Sequence, residues 1–205
     1  MSKTKKDILS QLILSDSHGE DSEFFPLLSA DDEKRIHSEQ VPDELPILTL
    51  RNSVLFPGVI IPITVGRDKS IKLVRDAYKK DKTIGVIAQK DSEVDDPKIK
   101  DLYRTGTVAY IIKLLKMPDG SDTIIIQGRN RFSIEKFTQK EPYLKAKVNA
   151  LENSLIVNKG NKTFKVLIDN LKEMAMKVIK ESSNMPNEAG FAVQNIESPA
   201  FLLHF

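Results

Sequence analysis

The sequence predicts an α+β protein: a curled, barrel-like sheet of about six or seven strands with one helix inserted early, followed by an all-helical segment. Three observations carry this. Short β-branched runs recur from Glu44 to Leu151 and are separated by turns containing Gly or Pro. A single amphipathic stretch, Asp68 to about Lys80, interrupts them. After Asn158 the apolar period switches to that of a helix.

Taken in order, Leu45–Leu50 alternates as a strand does, and Val59–Val65 is β-branched and nearly continuous, the pattern of a buried strand. Between them Leu55-Phe56-Pro57-Gly58 reads as a turn, with Pro presetting φ and Gly accepting a positive one. Asp68 is expected to cap the helix, whose apolar residues Ile71, Val74, Ala77 and Tyr78 recur at three- and four-residue spacing. Thr83–Gln89 is the next strand, and Lys90–Lys100 an acidic loop. Thr107–Met117 and Thr123–Gln127 then form a hairpin around Pro118-Asp119-Gly120-Ser121. Gly128-Arg129-Asn130-Arg131 is read as a second tight connection into Phe132–Thr138, and Tyr143–Leu151 closes the β region. Beyond it, Phe164, Leu167, Ile168, Leu171, Met174, Ala175, Val178 and Ile179 share one helical stripe, Pro186 separates a second helix, and Ser198-Pro199 opens a third.

Three segments follow from this: 1–44, an acidic tail expected to be disordered; 45–152, the β-rich domain; and 153–205, the start of a helical bundle. The tail holds 11 acidic and 5 basic side chains, net −6, while 45–205 hold 18 acidic and 26 basic, net +8. Its apolar islands, Ile8–Leu14 and Phe24–Leu28, are too short to offset the ~1–2 kcal/mol that ordering each backbone unit costs. The apolar end at Leu202-Leu203-His204-Phe205, without a polar tail, is expected of a fragment of a longer protein.

Composition closes several functional classes. There is no Cys, so disulfides, thiolate metal sites and a Cys nucleophile are excluded, and the three His are far apart. No apolar run approaches the ~20 residues that span a bilayer, and no secretory signal is present, so a cytoplasmic protein is expected. A phosphate loop, a G-x-S-x-G elbow and an H-E-x-x-H helix are all missing. Asp31-Asp32 and Asp95-Asp96 fall in loops that would not hold them for acid–base work. No catalytic, cofactor or metal residue is therefore assigned. The body's cations are scattered, with no Trp and few aromatics interleaved, which speaks against nucleic acid.

Two features remain as candidate contact surface. Arg67, Asp68 and Lys69 project where a strand exits into a helix, and form either a solvated helix start or a binding edge. Leu55, Phe56 and Met117 are apolar residues at turn tips, either tucked into the core or left for a partner.

The strings LPILTLRNSVLFPGVIIPITVGRDKSI and GTVAYIIKLLKMPDGSDTIIIQGRNRFSI carry a resemblance as well. Phe56-Pro57-Gly58, Pro62, Val65-Gly66-Arg67, Gly106-Thr107-Val108-Ala109 and Pro118-Asp119-Gly120, in this order and spacing, resemble the N-terminal, substrate-binding domain of the Lon family of ATP-dependent proteases. The resemblance covers about Glu44–Leu151, with the following helices similar to the start of the family's helical segment. It implies a PUA-like β domain, capture of unfolded or damaged protein substrates, and assembly with other copies into a ring such as a hexamer. It also implies that the ATPase, with its ATP and Mg, and the Ser–Lys protease lie further along the chain. A stand-alone PUA-like adaptor and an RNA-binding domain are the alternatives.

Overall fold

The computed structural model describes residues 39–117, 120–151, 161–182 and 187–205. Most of the acidic tail, and Pro118 and Asp119 of the hairpin turn, lie outside the described residues. The strands are β1 (Glu44–Leu50), β2 (Ile60–Val65), β3 (Thr83–Ala88), β4 (Thr105–Lys116), β5 (Asp122–Gln139) and β6 (Lys145–Ala150). Helix α1 (Asp68–Lys79) sits between β2 and β3, and α2 (Lys162–Glu181), α3 (Asn187–Asn195) and α4 (Pro199–His204) follow the sheet. This is the expected α+β arrangement, with the helices after the sheet.

The sheet order is β2-β5-β4-β3-β1-β6, and β6 pairs back onto β5. Five strands thus close into a barrel, with β2 appended. Closure depends on the length of β5, an unbroken strand of 18 residues. Its first part, from Asp122 to Gln127, pairs with β2, and the part from Phe132 onward pairs with β6. The expected connection at Gly128–Arg131 is therefore not a turn. Even-numbered residues from Asp122 to Ile134 are buried in unbroken alternation, so one strand parity runs straight through the Gly. Gly128 is needed for another reason. A Cβ there would stand 2.1 Å from the Phe56 carbonyl oxygen, because the Leu55–Gly58 turn lies directly on the strand. That turn has the expected chemistry: Val59 N–H donates to Phe56 O across Pro57 and Gly58, and Gly58 has φ +83°.

Two further expectations are corrected. Strand β2 is not a buried strand: it pairs only with β5 among the described residues, and only Val65 is fully buried. At this edge Pro62, which has no N–H, is tolerated. Asp68 is not the cap of α1. Arg67 holds the N-cap position without a side-chain capping bond, and Asp68 is the first helical residue, where the helix dipole favours its negative charge.

Helix α1 buries Leu73, Val74 and Ala77 in one core with Leu48, Ile84, Ile111 and Ile126. Phe132 centres a second core with Leu45, Ile47, Ile87 and Val148. The buried Asp122 carboxylate receives Arg75 of α1 in a two-pronged pair, at 2.6 and 2.9 Å, which ties the helix to the start of β5. Residues just before β1 also touch the sheet: Asn130 Nδ2 donates to Glu39 O at 2.8 Å, and Glu39 is ion-paired with Arg129.

In the helical segment, Asn161 caps α2 by accepting from the Thr163 and Phe164 amides, and Ser198 caps α4 by accepting from Phe201 N at 3.2 Å. The apolar stripe of α2 divides. Ile168, Leu171, Ala175 and Ile179 pack with Val193, Ile196, Phe201 and Leu202, whereas Leu167, Met174 and Val178 are exposed.

Candidate functional site

An open cleft of about 650 Å³ lies where the first turn of α1, the loop after β3 and the segment between β5 and β6 converge. Its floor is apolar: Ile47 from β1, Leu73 from α1, and Tyr143 and Leu144 from the segment before β6. Ile47 and Leu73 are buried, 3% and 1% exposed, and underlie the cleft, while Tyr143 and Leu144 are its more accessible apolar members. Charged side chains from three separate parts of the chain form the rim.

Arg67 is the half-buried member of that wall. Its Nη1 donates to Thr49 Oγ1 at 3.1 Å and its Nη2 to Gln89 Oε1 at 2.9 Å. Both acceptors are neutral. Gln89, 8% exposed at the end of β3, has its own amide clamped to Asp91 O and Val94 O at 3.1 and 3.0 Å, which orients its Oε1 toward the guanidinium. Burial, then the like charge of Arg51, lowers the Arg67 pKa from the usual guanidinium range, while Asp96 and Asp95 act more weakly in the opposite sense. The neighbouring cations are differently placed. Arg51 is paired with Asp95 at 2.6 Å, and Lys69 with Glu141 at 2.9 Å, a bond that raises the ammonium pKa.

Of the residues singled out in the sequence, Arg67, Asp68 and Lys69 line this cleft together. Leu55, Phe56 and Met117 do not. Leu55 is 3% exposed in the α1 core, and its carbonyl accepts from Thr107 Oγ1 at 2.7 Å, so it presents no contact surface. Phe56, 42% exposed, stacks on the His204 ring with centroids 5.4 Å apart. Met117, 43% exposed, stands at the β4–β5 tip, where its N–H donates to Ser121 O at 2.9 Å.

The residues missed in the sequence are those that complete the site from a distance: Thr49, Glu141 and Tyr143, which line the cleft, and Gln89, which accepts from Arg67. Nothing local marks them: Thr49 and Gln89 are placed by the pairing of β1 with β3, and Glu141 and Tyr143 by the segment that joins β5 to β6. Among the described residues no group of three or more His, Cys, Asp or Glu is arranged to hold a metal, and no helix is long and apolar enough to cross a membrane. An apolar floor under a mixed-charge rim supports non-covalent binding of a mixed apolar and polar chain.

Comparison with known proteins agrees with this architecture. The family model of the ATP-dependent protease La (LON) substrate-binding domain matches residues 44–205. Lon protease of Flavobacterium johnsoniae is 45% identical over 205 residues, covering 100% of this chain and 25% of that protein. Lon protease of Cytophaga hutchinsonii is 45% identical over 183 residues, 89% of this chain and 22% of that protein. The chain thus spans about a quarter of the length of these relatives. Among solved structures, the N-terminal domain of Mycobacterium avium complex Lon protease superposes with a TM-score of 0.61 at 16% identity, covering 78% of each chain, a likeness of fold.

Proposed function

The chain belongs to the family of Lon substrate-binding domains, and from that premise we propose that it captures unfolded or damaged polypeptides for an ATP-dependent serine protease of the Lon type. The whole protein would work in the cytoplasm as a ring such as a hexamer. ATP, Mg and the Ser–Lys chemistry would belong to its other parts, and the residues described here would contribute binding alone. The observation that carries this is the family match across residues 44–205. The open amphipathic cleft supports it, because unfolded chains differ from folded ones in offering apolar side chains beside polar backbone and charge.

Weak contacts suffice for such a role. A single contact of ~1 mM affinity corresponds to about −4 kcal/mol. Several copies around a ring raise the effective concentration for each further contact and convert weak binding into retention. The test compares one test protein in two forms, natively folded and held unfolded by destabilising substitutions, by fluorescence anisotropy against the purified chain. Binding of the unfolded form with none of the native form is expected. Equal binding of both forms, or of neither, would refute the function.

A further inference from the structure

We propose that Arg67 is the anion anchor of the cleft, and that the segment it holds carries a carboxylate next to an apolar side chain. The inference rests on the substrate-binding role proposed above and adds the chemistry of what is bound. A guanidinium has five N–H donors in a rigid fork and stays charged. Arg67 uses two of them, both on the neutral oxygens of Thr49 and Gln89. Among the described residues no carboxylate lies within ion-pair distance of it, although its neighbours Arg51 and Lys69 each have one.

The surroundings keep this charge ready for a ligand. Thr49 and the clamped Gln89 fix the direction of the fork, so little side-chain freedom is lost when an anion arrives. Burial and Arg51 both act against the charge, and Asp96 and Asp95 compensate less. An incoming carboxylate restores what the half-buried cation has lost in hydration, and can do so through two parallel N–H···O bonds. The apolar floor at Ile47, Leu73 and Leu144 belongs to the same cleft, so the group carrying the carboxylate is expected to bring an apolar side chain with it.

That chemistry has two sources in a polypeptide: the C-terminal carboxylate after an apolar last residue, or an Asp or Glu side chain within an apolar run. The experiment separates them with fluorescein-labelled peptides of one apolar core. One pair has a free or an amidated C-terminus. The second pair, amidated in both members, has an internal Glu or Gln. Binding is read by anisotropy for the wild-type chain, Arg67→Gln, Arg67→Lys, and Lys177→Gln on the exposed face of α2 as a control.

In wild type, one carboxylate peptide is expected to bind about tenfold or more tighter than its neutral twin. Which pair shows the difference identifies the source. The preference should vanish in Arg67→Gln, survive in part in Arg67→Lys and be unchanged in Lys177→Gln, while the neutral peptides bind Arg67→Gln as they bind wild type. An equal preference in wild type and Arg67→Gln, or no preference in wild type with both twins still bound, would overturn the anchor alone. No binding of any peptide would overturn the binding role itself. If Arg67→Gln does not unfold cooperatively, the wild-type chain still decides. On titration with N-acetyl-leucine the Arg67 Nε–H resonance should move, and with N-acetyl-leucine amide it should not; equal responses would overturn the anchor.

Discussion

Adding one carbon at Gly128 is predicted to destabilise the domain by about 2–4 kcal/mol. The new Cβ of Gly128→Ala would lie 2.1 Å from Phe56 O and 2.9 Å from Phe56 C. Ordinary carbon–oxygen contacts begin near ~3.3 Å, so the turn must withdraw by about 1 Å. Two bonds hold it in place: Gly58 N–H to Gly128 O at 3.0 Å, and Gly128 N–H to Val59 O at 2.9 Å. A withdrawal of that size takes both beyond hydrogen-bonding reach, a loss of about 0.5–1.5 kcal/mol each. The same movement pulls on the buried bond from Thr107 Oγ1 to Leu55 O, worth about 1 kcal/mol more. Urea denaturation followed by circular dichroism measures the change. Gly66→Ala is the control, because nothing lies within 4 Å of a Cβ there, and it should stay within about 0.5 kcal/mol of wild type. If Gly128→Ala proves as mild as Gly66→Ala, the close approach of turn and strand is wrong.

Three other outcomes are expected. Arg75 holds the Asp122 carboxyl below the usual carboxylate range, so the folded state gains stability from this pair above the unfolded value of about 3.9 and loses it as pH falls further toward the folded value; acid unfolding of Asp122→Asn should show a shallower pH dependence below about pH 4 than wild type. Ser198→Ala should destabilise α4 by about 1 kcal/mol, seen as faster amide exchange at Phe201 and Leu202, because the bond to the Phe201 amide is removed. The purified chain should hydrolyse neither ATP nor a peptide substrate, and turnover above the protein-free blank would contradict a purely binding role.

Much of the fold was legible because local chemistry and tertiary structure agree. Pro57-Gly58 makes the turn its residue types require, Ser198-Pro199 opens a helix, and the β4–β5 hairpin falls near its expected position. Gly128 misled because a strand Gly beside charged residues has the local pattern of a turn, and its real partner, Phe56, is far away in sequence. The alternation of Ile124, Ile126, Asn130, Phe132 and Ile134 through it was the available signal. Val59–Val65 misled because β-branched residues serve an edge strand as well as a central one. Arg67, Asp68 and Lys69 were visible as a cluster at a strand-to-helix junction. Their cleft was not, since its floor and opposite wall come from β1, the loop after β3 and the segment before β6. Burial of Leu55 and the stacking of Phe56 on His204 likewise depend on elements that local sequence does not connect.

Binding across a salt series tests the central claim, capture of unfolded polypeptide through apolar contact, most directly. The purified chain is titrated with a permanently unfolded test protein and with a mixed-sequence single-stranded RNA at about 50 and 200 mM salt, alongside Met117→Asp as a surface probe away from the cleft. Apolar capture predicts that affinity for the unfolded protein falls less than about threefold across the series, since at most a single ion pair is screened. RNA binding, where phosphates are neutralised, would fall with a log–log slope near −0.7 per phosphate. Met117→Asp should lower affinity for the unfolded protein by ~1 kcal/mol or more if the hairpin tip is a contact, and leave it unchanged if the cleft acts alone. Strong, salt-sensitive RNA binding without affinity for the unfolded protein would contradict the account.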